Sequence, residues 1–179
     1  MKNLFLFVSF LLVPFISILP QEKTFTYVGV QTCGTCHKAE KQGNQLAIWQ
    51  ASKHAGAYNT LKTDKANEIA KSLGHTTLAV ETEACLKCHA TGYNIEASLK
   101  GEKFKVEDGV QCETCHGAGS EYKNLKIMKN KADAIANGLV MHENKEEFCI
   151  SCHNPESPTF VEFNLDSMWE KIKHPKPQM

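Results

Sequence analysis

Cys33-Gly34-Thr35-Cys36-His37 opens a pattern that decides how the whole chain is read. The same C-x-x-C-H spacing returns as Cys85-Leu86-Lys87-Cys88-His89, Cys112-Glu113-Thr114-Cys115-His116 and Cys149-Ile150-Ser151-Cys152-His153, and these copies use all 8 cysteines. Zinc sites, short disulfides and thioredoxin-like redox pairs also use cysteines at this spacing, but none needs a histidine directly after every second one. Covalent haem does. Two thiols so spaced form thioethers with the two vinyl groups on one edge of a porphyrin, and the next residue offers its imidazole to the iron. The cofactor expected is therefore four covalently attached haem c groups. Their attachment residues are Cys33 and Cys36, Cys85 and Cys88, Cys112 and Cys115, and Cys149 and Cys152. His37, His89, His116 and His153 are the proximal iron ligands.

Working outward, the chain has 179 residues, with 20 basic side chains, all lysine, against 20 acidic ones. No basic excess exists to neutralise phosphates, which argues against nucleic-acid binding. The lack of arginine also removes the usual bidentate clamp for oxyanions.

Met1-Lys2 followed by the apolar run Leu4 to Leu19, with Pro14 inside it, reads as a signal peptide over residues 1–20. Ser17-Ile18-Leu19-Pro20 is a poor cleavage site, so an uncleaved anchor is the alternative, and contact with a membrane depends on it. Export agrees with haem c chemistry, since the attachment takes place outside the cytoplasmic membrane, and it points to the periplasm or its equivalent. Removing residues 1–20 takes away Lys2 and leaves one net negative charge. Eight haem propionates then make the mature protein acidic, which predicts a redox partner with a lysine- or arginine-rich patch.

Residues 21–179 form one tetrahaem domain. About 40 residues per haem are too few to enclose each in a pocket of its own, so the macrocycles must supply much of the core. The fold class expected is mainly α, with few short strands and helices wrapped around the haems. The apolar spacing predicts a helix across 38–61 and another from Asp64 to Leu73, capped by Thr63 or Asp64 and stopped at Gly74. Residues 93–106 read as a short hairpin. Ser120 reads as the cap of a kinked helical segment reaching Asn137-Gly138, and Leu165, Met168, Trp169 and Ile172 share one helical face before Pro175.

Four histidines lie outside the motifs: His54, His75, His142 and His174. Their number equals the number of irons, which makes them candidate distal ligands. His54 reads as mid-helix among Ala47, Ala51, Tyr58 and Leu61. His174 closes the last helix, His142 follows Met141 in a loop entering the fourth motif, where either side chain could bind iron, and His75 follows Gly74. A surface or packing role is the alternative for each, and Met128 and Met168 read as helix packing.

Tyr27-Val28-Gly29, Trp49 to Tyr58, Gly109-Val110-Gln111-Cys112-Glu113-Thr114-Cys115-His116-Gly117-Ala118-Gly119-Ser120 and Ile172-Lys173-His174-Pro175 give the chain a resemblance. It resembles the tetrahaem c-type cytochromes whose best-known member accepts electrons from hydroxylamine oxidoreductase in ammonia-oxidising bacteria. The resemblance implies a mostly helical fold with closely stacked haem pairs and distal roles for His54 and His174. It also implies a five-coordinate second haem, on Cys85, Cys88 and His89. The family's distal histidine soon after the third motif is missing here, where Ser120 to Asn130 holds Tyr122 and Met128, and His142 is the candidate to replace it.

These readings favour an electron carrier that docks transiently and electrostatically to a donor and an acceptor. The alternative is a small reductase of nitrite, nitric oxide or hydroxylamine at one open iron. Against it stand the absence of any C-x-x-C-K site and of any arginine.

Overall fold

The computed structural model describes residues 23–176. Its α-helices are short: α1 (Val30–Gly34), α2 (Gln45–Ala51), α3 (Ala57–Thr60), α4 (Asp64–Ser72), α5 (Glu83–His89), α6 (Cys112–His116), α7 (Leu125–Met128), α8 (Lys131–Ala136), α9 (Lys145–Ile150) and α10 (Leu165–Trp169). The expected mainly α class holds. The only β pairing among the described residues is an isolated parallel bridge between Tyr27 and Lys100. Helices of nine residues or fewer are unstable alone, so packing and caps must hold them.

Caps are supplied where the sequence placed them for α4: Thr63 accepts the Ala66 N–H through its hydroxyl, and Gly74 turns left-handed just past the end. Elsewhere the reading needs correction. The expected helix across 38–61 is broken twice, because Gly43 and Asn44 both adopt positive φ and Ser52 is extended with its hydroxyl on the Trp49 carbonyl. His54 therefore sits in the turn between α2 and α3, not in mid-helix. Residues 93–106 form no hairpin. The Gly101 N–H instead donates to Tyr27 O, and Phe104 packs edge-on against Tyr27, so the segment pairs with the N-terminal stretch rather than with itself. The segment after Ser120 is two helices, capped by Asn124 and Asn130, whose side chains take free N–H groups that Ser120 does not. The expected signal segment, residues 1–20, lies outside the described residues.

Packing is organised by polar groups as much as by apolar ones. The buried apolar residues are mostly small: Val28, Val30, Leu61, Ala70, Ala79, Ala90 and Ala134, with Phe104 and Tyr122. Leu61, Ala70 and Ala79 make one cluster, against which Ala66, Val80, Cys85 and Leu86 pack. Against this thin core stands a buried polar knot. The Glu113 carboxylate, 2% exposed, accepts the N–H groups of Val28, Gly29 and Gly119 at 2.8, 2.8 and 2.7 Å. Gln111, equally buried, accepts the Val30 N–H and donates to Lys105 O. Trp49 donates its indole N–H to Val110 O at 2.8 Å, and the Val110 N–H donates to His54 O. These bonds tie α1, α2 and the turn at His54 to the strand-like approach of α6.

Candidate haem sites

Each C-x-x-C-H motif occupies one helical turn. α6 is the third motif in full, and α5 ends on the second. The first and fourth begin in α1 and α9 and finish in the following turn, where the His37 and His153 N–H groups still reach the Cys33 and Cys149 carbonyls at 3.1 and 3.0 Å. Side chains three apart on a helix lie on one face. Both thiols of a motif therefore point the same way, with the imidazole beside them. That is the arrangement a porphyrin edge needs.

The four motifs come together in two interleaved pairs. The first motif meets the third where the Val28 and Gly29 N–H groups donate to Glu113, and there the neighbouring Cys112 raises the pKa of the Cys33 thiol. Burial adds to it, and the Cys33 thiol is pushed far above its usual range. Cys88 is likewise pushed up to about 11, by burial first and then by Cys152, which joins the second motif to the fourth. An ion pair between Lys87 and Glu156 at 2.9 Å spans the same junction. Cys115 is raised to about 11 by burial and by Cys149, so the two pairs also meet each other. No two of the eight cysteines form a disulfide. Among the described residues no three His, Cys, Asp or Glu side chains converge as a metal-only cage.

Two of the candidate distal histidines face a motif histidine. The His54 ring lies 6.1 Å from His153, and the His174 ring 5.9 Å from His116, centre to centre. Two imidazoles on opposite sides of one metal, at metal–nitrogen distances of about 2 Å, have ring centres about 6 Å apart. These gaps fit an iron between each pair. Protonation agrees with that chemistry, because only a neutral imidazole has a nitrogen lone pair to offer. Burial lowers the pKa of His116 to about 4, helped by His174, His142 and His37 nearby, and burial also lowers His54 and His153. Phe163 stacks on His153 with ring centres 5.1 Å apart.

The other histidines are arranged differently. His89 places Nδ1 2.9 Å from the Ala57 carbonyl, the kind of bond that fixes a ring and leaves Nε2 for a metal. His142 has Nε2 2.8 Å from the Cys115 carbonyl and stacks on Phe148 with centres 3.7 Å apart. His75 follows α4, whose inner face packs into the cluster that includes Cys85. The buried Nδ1 of His37 has no protein partner.

The polar knot of Glu113, Gln111 and Trp49 positions the paired motifs, yet no residue-level signal singled it out. A buried glutamate between two cysteines follows no periodicity, and its three N–H partners are fixed only by tertiary structure. No helix among the described residues is long and apolar enough to cross a membrane.

Comparison with known proteins adds two matches. Residues 32–117 match the family model described as cytochrome c554 and c-prime. The cytochrome c-554 of Nitrosomonas europaea is 27% identical to the chain over 179 aligned residues, which cover 82% of this chain and 73% of the relative. No solved structure matches the chain.

Proposed function

We propose that this chain, whose residues 32–117 match the cytochrome c554 and c-prime family model, is a haem c electron carrier, a periplasmic tetrahaem shuttle between two redox partners. Haem supplies the one-electron Fe(III)/Fe(II) couple; the protein has to hold the four groups, close their coordination and bring them near one another.

In this reading the eight motif cysteines anchor the four groups and His37, His89, His116 and His153 bind on the proximal side. His54 is the distal partner of His153, and His174 that of His116. Two protein ligands leave no room for a substrate, so these two sites pass electrons only. His89 binds alone, in keeping with the five-coordinate second haem that the resemblance implies.

The observation that carries the reading is the interleaving of the motifs: the Val28 and Gly29 N–H groups beside the first motif donate to Glu113 of the third, and Cys152 Sγ of the fourth lies 4.0 Å from the Lys87 carbonyl of the second. Attachment points in contact bring the groups within the edge-to-edge approach that rapid electron transfer needs. Export rests on Met1 to Pro20 as a signal segment. The docking we propose is transient and electrostatic, with the uncompensated propionates giving the molecule its acidic edge.

Mass spectrometry of the purified protein tests the first part: the processed chain plus four haem masses, with no alkylatable thiol. His54→Ala and His174→Ala test the second. Each converts one low-spin haem to high spin while four haems stay attached, because the thioethers hold the macrocycle. Unchanged low-spin signals in both variants refute the distal assignment.

A further inference from the structure

All eight histidines lie within the described residues, so their partners can be accounted for. His116 and His153 each face a second imidazole across a gap that fits one metal, at 5.9 and 6.1 Å. Among the described residues His37 faces none. Of the two histidines left over outside the motifs, His142 is engaged elsewhere and His75 lies beside another motif. His142 has its Nε2 on the Cys115 carbonyl and one ring face against Phe148, on the side of the third motif. His75 follows a helix packed against the cluster around Cys85, on the side of the second.

Among the described residues Tyr122 and Met168 are also engaged. Tyr122 is buried beside Gly119, within electrostatic reach of Cys33, and donates its hydroxyl to the Gly117 carbonyl at 2.8 Å. That bond keeps its proton on the oxygen and turns the group toward backbone. The Met168 sulfur accepts from Lys171 Nζ at 3.6 Å, and Met141 is exposed.

We infer that the first attachment site, on Cys33, Cys36 and His37, has His37 as its sole protein ligand and takes a small neutral diatomic ligand such as carbon monoxide. The inference rests on the haem reading given above. It adds a second open iron to the one expected on His89. No bond in the protein is made or broken on binding; the ligand adds to ferrous iron and leaves on dilution.

The test uses the intact holoprotein, with four haems first confirmed by mass. Fewer than four haems is a failure of the functional reading, not of this inference. With four present, quantitative electron paramagnetic resonance of the ferric protein should show two high-spin and two low-spin haems, and the reduced protein should bind two carbon monoxide molecules per chain. His142→Ala and His75→Ala should leave both counts unchanged. In ferrous resonance Raman, the iron–histidine stretch from one of the two open sites should vanish in His37→Gly and return with added imidazole. One carbon monoxide per wild-type chain, a count that rises from one to two in either alanine variant, or a methionine–iron charge-transfer band overturns the inference. So does a Raman spectrum that His37→Gly leaves unchanged.

Discussion

Glu113→Gln probes the point where the first motif is fastened to the third. In the structure Oε1 accepts the Val28 and Gly119 N–H groups, and Oε2 accepts that of Gly29. A glutamine has one oxygen. If it serves Val28 and Gly119, its amide NH2 is turned on the Gly29 N–H, donor against donor; the opposite flip keeps one bond and loses two. A buried donor left unpaired costs about 1–3 kcal/mol, and changing the surviving bonds from charge-assisted to neutral removes about 1 kcal/mol more. The expected loss is about 3 kcal/mol. Guanidinium unfolding followed by far-ultraviolet circular dichroism measures it, on variant protein shown by mass to carry four haems. The midpoint should fall while the slope stays constant, the sign of lost stability without a change in surface exposed. A loss below about 0.5 kcal/mol refutes the reasoning, since surface changes alone stay within that range.

Further expectations concern the same joints and the cofactor. Gly29→Ala should destabilise by about 1–3 kcal/mol in the same assay, because φ is +81° and a Cβ there would lie 2.5 Å from the Lys103 carbonyl oxygen. Lys87→Ala should leave the midpoint unmoved, since its bridge to Glu156 is exposed on both sides. Chain produced without haem attachment should show a disordered circular dichroism spectrum, for the helices are too short and the apolar core too thin to stand alone; native-like helicity would contradict this. Electron transfer with the physiological partner should slow as salt rises, through screening over about 8–10 Å, and a rate flat in salt would point to apolar docking.

How much of this was legible beforehand varied with the kind of interaction. The motif cysteines and histidines were plain, because attachment chemistry fixes residue type and spacing within five positions. The helix from Asp64 was plain for a similar reason, its cap and stop being local. What failed was anything decided by distant backbone. The 38–61 segment has good helical spacing, yet the positive φ of Gly43 and Asn44 and the extended Ser52 cut it into pieces. The break at Ser52 frees the His54 turn, where the histidine's carbonyl takes the Val110 N–H and its ring faces His153. Ser120 looked like a cap but lost that role to Asn124 and Asn130. Facing pairs such as His174 with His116 left no trace in sequence spacing, since a separation of 58 positions carries no information about them.

The interleaving of the motifs also dictates an order of events during biogenesis. Val28 and Glu113 are 85 positions apart, and Cys152 and Lys87 are 65 apart. A chain emerging from its N-terminus presents the first and second motifs before either has anything to close upon. Contacts of such long range form late, because the intervening loop must first be gathered in. Cys33, Cys36, Cys85 and Cys88 thus remain open to the attachment machinery on a still extended chain. The arrival of Glu113 then latches the N-terminal segment down, and the fourth motif seals the second, so that modification comes before collapse.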